Sequence, residues 1–217
     1  MPDFARRRTM MVDTQVRPSD VTKFPIIAAM LSVPREVYVP SALREAAYLG
    51  ENLAIGPGRV VLDPRTLAKM LDALDIRQTE MVLLLGAGLG YSAAVIARLA
   101  EVVIAVEGDA TLAAEAERTL SAEGVDNAMV MTAAPAGGAA KHGPYDVIVI
   151  EGGVEEMPDA VLSQLKDGGR IAALYMHRGV GVVRIGMRRA GAMSWRDAFN
   201  AGAPVLPGFG KVRAFTL

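Results

Sequence analysis

The chain has no cysteine among its 217 residues. This excludes disulfides, thiolate metal sites and a thiol nucleophile. Imidazoles are almost as scarce: only His142 and His177 are present, too far apart in sequence to suggest a metal pair, and both read as surface residues. Aromatic residues make up 5% of the chain and the formal net charge is -1, so there is neither a base-stacking platform nor a broad basic field, and no nucleic-acid partner is expected. No apolar run approaches the roughly 18 residues of a membrane span, and MPDFARRRTMMV lacks the apolar stretch of a secretory leader. No membrane partner is therefore expected, and the reading places the protein in the cytoplasm. The basic run Arg6, Arg7, Arg8 reads as the solvated face of a first helix. What the chain does have is apolar residues, at 52%, ample for the core of one ordinary domain.

From Met81 onward strands and helices alternate, the pattern of a parallel sheet covered on both faces. MVLLL at 81–85 is an unbroken apolar run that suits a strand buried on both sides, and it breaks into Gly86, Gly88 and Gly90 before a helix over 92–99. Glycine permits positive φ and close approach of a ligand to the backbone, and a helix start offers free N–H groups. The turn is thus a candidate cradle, with a purely structural tight turn as the competing reading. A dinucleotide fold wants G-x-G-x-x-G, but here the third glycine arrives one residue early and Tyr91 takes its place. That spacing favours the nucleoside-binding turn of SAM-dependent methyltransferases over a nicotinamide site.

VVIAVEGD at 102–109 reads as the second strand, ending in Glu107, 21 residues beyond Gly86. An acid at about that separation grips ribose hydroxyls in nucleotide-binding α/β folds. A helix at about 110–123, strands at 128–132 and 145–153, the helix PDAVLSQLK stopping at Gly168 and Gly169, and the strand RIAALYM follow. GVVRIGMRR at 181–189 and KVRAFTL at 211–217 are expected to close the sheet, with AGAPVLPGFG as a loop between them. Glu151, Glu155 and Glu156 read as a solvated acidic loop after the fourth strand. Residues 1–80 differ: Pro18, Pro25, Pro34, Pro40, Pro57 and Pro64 punctuate short helical stretches. We read 1–80 as a helical extension roofing the site and 81–217 as the ligand-binding α/β domain, together one compact unit.

MVDTQVRPSDVTKFPIIAAMLSVPREVYVP at 11–40, IGPG at 55–58, LLLGAGLGY at 83–91, YDVIVIEGG at 145–153 and PDAVLSQLKDGGRI at 158–171 appear in an order that resembles the protein-L-isoaspartate O-methyltransferases. The resemblance implies a Rossmann-like class I methyltransferase fold, with a mostly parallel seven-stranded sheet, helices on both faces and the N-terminal helical extension. It implies S-adenosyl-L-methionine (SAM) as cofactor, S-adenosyl-L-homocysteine (SAH) as product, and damaged proteins or peptides bearing isoaspartyl residues as substrates. The cofactor contacts it implies are Gly86, Ala87, Gly88, Gly90, Tyr91, Glu107, Gly108, Ala133 and Ala134, and the acceptor-pocket positions are Leu62 and Asp63.

The sequence also departs from the family pattern. Leu62, in GRVVLDP, stands where the family carries a serine, and Asp63 adds a negative charge beside it. Leu84 replaces an acid before the glycine turn, and Ala133 and Ala134 replace a Gly-Asp pair beside adenine. Two alternatives to isoaspartyl repair therefore stay open: methyl transfer to a different acceptor, and a noncatalytic relative that keeps the fold for interaction or regulation.

Overall fold

The computed structural model describes residues 3–211. The N-terminal part opens with α1 (Phe4–Met11), capped by Asp3, whose side chain accepts the Arg6 N–H at 3.0 Å. The helix widens into a π turn over Val12–Val16, and α2 (Phe24–Ser32) starts with Pro25 in its first turn, where a missing N–H costs nothing. A short hairpin follows, β1 (Leu53–Gly56) against β2 (Arg59–Val61), reversed at Pro57 and Gly58, with Gly58 at φ +65°. The amphipathic helix α3 (Pro64–Leu74) begins at Asp63, whose carboxylate caps the Thr66 N–H at 2.9 Å.

The α/β part contains β3 (Met81–Leu85), α4 (Tyr91–Ala97), β4 (Val102–Glu107), α5 (Ala110–Ala122), β5 (Ala128–Thr132), β6 (Tyr145–Val154), α6 (Asp159–Leu162), β7 (Leu165–His177), β8 (Val180–Arg189) and β9 (Ala192–Asn200). The sheet has seven strands in the order β5-β4-β3-β6-β7-β8-β9, with β5 through β7 parallel and β8 and β9 antiparallel. The order reverses between β3 and β6, which places a crevice at the carboxyl ends of β4, β3 and β6, the usual ligand position in an open α/β sheet. Leu83 and Leu85 pack to one face of β3 and Val82 and Leu84 to the other, as a strand buried on both sides requires. Residues of the extension, including Met11, Met30 and Tyr38, share the second of these cores with Leu84 and α4.

The closing strand expected at 211–217 lies, beyond Lys211, outside the described residues; among the described residues the sheet ends at β9, which the sequence reading did not include and where Met193 and Trp195 turn inward while Arg196 and Asp197 face solvent. That half-polar alternation marks an edge strand. The helix expected over PDAVLSQLK is a single turn, because the chain joins β7 already at Leu165. The stretch at 201–210 is indeed irregular, yet it is pinned as a strap across the end of β6: Gly153 N–H donates to Pro204 O at 2.7 Å and Leu206 N–H to Gly153 O at 2.9 Å. Among the described residues no helix is long and apolar enough to cross a membrane.

Candidate active site

The glycine turn is tied to its neighbouring strand by two bonds: the Gly86 and Ala87 N–H groups both donate to Val106 O, at 2.8 and 3.1 Å. Gly86 and Gly88 adopt φ of +83° and +55°, and neither has room for a side chain. A Cβ on Gly86 would lie 3.0 Å from Leu206 Cδ1 and 3.1 Å from Arg59 Nη1, and one on Gly88 would lie 2.8 Å from Ile55 Cδ1. Gly90 serves a different contact: its Cβ would meet Ala116 and Leu120 of α5, at 3.3 and 3.4 Å. The Tyr91 ring turns toward the extension, with the Arg35 guanidinium 4.5 Å from its centroid and Tyr38 alongside.

Glu107 ends β4 almost completely out of water, at 1% exposure. Its Oε2 accepts the Gly88 N–H at 2.6 Å, its Oε1 accepts the Asp109 N–H at 3.0 Å, and the Arg59 guanidinium forms an ion pair with Oε2. The glycine turn and the acid singled out from the sequence are thus in direct contact, and the hairpin adds a cation to them. Outward from this pair a cleft of about 550 Å³ opens between Glu107, Gly108, Asp109, Ala134 and Pro135 on one side and Pro57 with the 206–208 strap on the other. The Ala133 N–H donates to Glu107 O at 3.0 Å, which holds the end of β5 against the cleft floor.

A second buried carboxylate lies at the end of β6. Glu151 is 2% exposed, so it belongs to the strand interior and not to the solvated loop expected for it, whereas Glu155 and Glu156 are exposed. Its Oε1 accepts the Leu62 N–H at 3.4 Å and its Oε2 has no protein partner. Burial pushes its carboxyl up to about 7, against the opposing pull of the Ser92 hydroxyl, the Arg59 charge, the Leu62 amide and Arg35. Arg35 is itself fully buried; its Nε donates to Ala47 O and its Nη2 to Leu62 O, both at 2.7 Å. Leu62 is therefore held from both sides of its backbone, while the Asp63 side chain is committed to capping α3.

Sequence reasoning missed Arg59, Arg35 and the burial of Glu151. Arg59 lies 48 residues from its partner, and no local spacing marks such a pair. Glu151 did carry a signal, since it directly continues the apolar run of a doubly buried strand. Among the described residues no group of three or more histidine and acidic side chains is placed to hold a metal ion.

Known proteins share both the sequence and the architecture. The family model described as protein-L-isoaspartate(D-aspartate) O-methyltransferase matches residues 6–179. A protein-L-isoaspartate O-methyltransferase from Syntrophus aciditrophicus is 37% identical over 171 residues, covering 79% of this chain and 78% of that protein. The chain belongs to the protein-L-isoaspartate(D-aspartate) O-methyltransferase family. A solved protein-L-isoaspartate O-methyltransferase structure superposes with a TM-score of 0.82 at 22% identity, covering 93% of this chain and 66% of that one. A putative family member from Plasmodium falciparum, solved in complex with S-adenosyl-L-homocysteine, gives 0.79 at 15% identity over 95% of this chain and 99% of that one. These two likenesses show the shared methyltransferase fold. In this chain Arg59 brings a guanidinium onto the strand-end acid.

Proposed function

We propose that the chain is a SAM-dependent protein-L-isoaspartate O-methyltransferase, which esterifies the free carboxylate of isoaspartyl residues in damaged proteins. The observation that carries this reading is the direct contact of Gly88 with Glu107, within a family whose named members have this activity. The residues fit the cofactor. Gly86 and Gly88 form a cradle that any Cβ would fill, Glu107 is a carboxylate suited to a ribose diol, and Gly108 and Ala134 border a cleft with room for the nucleoside, with Ala133 bonded to the Glu107 carbonyl behind them. Arg59 stands in the inner part of that space and has to move. Tyr91, Gly90 and Ala87 support the turn from behind.

When bound, SAM supplies an electrophilic sulfonium methyl group. An isoaspartyl carboxyl, with a pKa of about 3.9, is already ionised at neutral pH, so the chain needs no general base. Its own task is to orient the acceptor and exclude water. Leu62, Ile55 and Leu206 provide the dry wall, and Leu62 with Asp63 marks the acceptor side. The partner in this reading is a protein or peptide chain in the cytoplasm, with no role for nucleic acid or membrane.

The test is methyl transfer from labelled SAM to an isoaspartyl peptide beside its aspartyl twin. Label is expected on the isoaspartyl peptide alone. Label on neither, with a known active enzyme working in parallel, would turn the assignment toward another acceptor or a noncatalytic role.

A further inference from the structure

The Arg59 guanidinium touches one buried carboxylate and its charge reaches a second. It is paired with Glu107, yet its Nε has no partner. Glu151 feels its charge, and the buried Oε2 of Glu151 likewise has no partner. Gly86 joins the two stretches of backbone: the space a Cβ would take there is 2.9 Å from the Glu151 backbone carbonyl oxygen and 3.1 Å from Arg59 Nη1. Glu151 is thus a second, incompletely satisfied carboxylate within electrostatic reach of a cation displaced from Glu107. The cation has a reason to go there, since an arginine remains charged and an unpaired buried charge is costly. The Gly88 and Asp109 amides meanwhile keep the Glu107 carboxylate aimed after the guanidinium leaves.

We propose that Arg59 is a transferable cation: the ribose of the cofactor displaces it from Glu107, and the guanidinium re-pairs with Glu151. The proposal rests on the reading that SAM binds over the glycine turn, and it explains how that turn accepts a ligand although a side chain lies across it. One consequence concerns protons. The groups facing Glu151 are Arg59 from β2, the Leu62 amide beyond it, Arg35 from the turn after α2, and Tyr91 and Ser92 from α4. The arginines stay charged, and burial pushes the Tyr91 phenol up, so Glu151 is the group in this set that titrates near neutrality. On receiving the guanidinium, Glu151 gives up its proton to solvent. Binding and proton release are therefore linked, and affinity rises with pH, by about tenfold between pH 6 and 8 for a carboxyl at about 7.

The experiment is calorimetric titration of the whole protein with SAH at pH 6, 7 and 8, in two buffers of different ionisation enthalpy, beside Arg59→Met and Glu151→Gln. For the unsubstituted protein we expect a net release of part of a proton near pH 7 and the tenfold tightening. Arg59→Met should bind SAH about tenfold more tightly, with neither proton release nor pH dependence. Glu151→Gln should bind without proton release and more weakly at pH 8. SAH binding with no proton exchange at any of these pH values, or binding by Arg59→Met no tighter than that of the unsubstituted protein, overturns the transfer and leaves the methyltransferase reading intact. No SAH binding by any of the three folded proteins overturns both.

Discussion

Glu107 and Glu151 stand at the carboxyl ends of two strands of one sheet, both out of water, and the fold treats them in opposite ways. Glu107 receives two backbone N–H groups and a guanidinium. Glu151 receives one long N–H bond and has an oxygen with no partner, and burial holds its carboxyl near 7. The contrast shows how a strand-end carboxylate is held in a crevice: at β4 its donors come from backbone that the turn itself fixes, and at β6 they do not. An acid with fixed donors is a binding group. An acid without them is a reservoir for a proton or for a neighbouring cation.

The largest effect should come from breaking the satisfied member. Glu107→Ala removes the acceptor of three donors and is expected to weaken SAH binding about tenfold or more by calorimetry. It should also lower unfolding free energy by about 3 kcal/mol in urea titrations, because Arg59 loses its buried partner. If Glu151 is the alternative partner of Arg59, the double variant Glu107→Ala/Glu151→Gln should be destabilised by more than the sum of the two single changes. Additivity within about 0.5 kcal/mol would show that the two carboxylates do not share the cation.

Glu151→Gln tests the other member. A carboxyl whose folded-state pKa is raised, here from its ordinary 4.5 to about 7, binds its proton more tightly in the folded protein. Its stabilising contribution is complete below about pH 4.5 and is lost as pH rises toward 7, a change on the order of 3 kcal/mol. Glutamine removes the titration, so the variant should gain relative to the unsubstituted protein as pH rises from 4 to 8. Parallel stability curves for the two proteins would show that Glu151 is better satisfied than the comparison requires.

The two carboxylates also differ in how readable they were. The glycine turn, the strand before it and Glu107 follow from spacing along the chain, because the βαβ unit fixes them through backbone geometry. The parallel part of the sheet was legible for the same reason, from apolar runs alternating with helices. Arg59, Arg35 and the environment of Glu151 were not, because their contacts join the hairpin and extension to strand ends through side chains that reach far along the chain, across 27 residues from Arg35 to the Leu62 carbonyl and 89 from the Leu62 amide to Glu151. β9 was missed because an edge strand with one solvated face has no continuous apolar run. Leu62 was flagged as an absence of serine, and the structure adds that its backbone is clamped between Arg35 and Glu151. Leu62→Ser should therefore place a hydroxyl beside Glu151 without moving the chain, and isoaspartyl methylation is expected to rise about tenfold in kcat/KM. No gain in a variant that still binds SAH would mean that the clamped backbone, and not the lost hydroxyl, shapes the acceptor pocket.

The smallest expected effect sharpens the comparison from the opposite end of the sheet. Glu80, just before β3, is partly buried and, like Glu107, well supplied: Arg170 donates to both of its oxygens, at 2.7 and 2.8 Å, and the Arg77 N–H donates to Oε2 at 2.8 Å. Burial alone would raise its carboxyl, but the Arg170 and Arg77 bonds outweigh it and hold the group below the ordinary range. The sign of its pH dependence is therefore the reverse of that of Glu151. The Glu80 contribution is present above about pH 4.5 and disappears as pH falls through its lowered folded-state value. Glu80→Gln should cost about 1 kcal/mol at pH 7, less than the buried pair because part of the contact is open to water, and the difference from the unsubstituted protein should vanish on the acid side. Measured together, Glu80→Gln and Glu151→Gln should give stability differences with opposite pH slopes; slopes of the same sign would mean that burial, and not the supply of donors, sets the proton affinity of both acids.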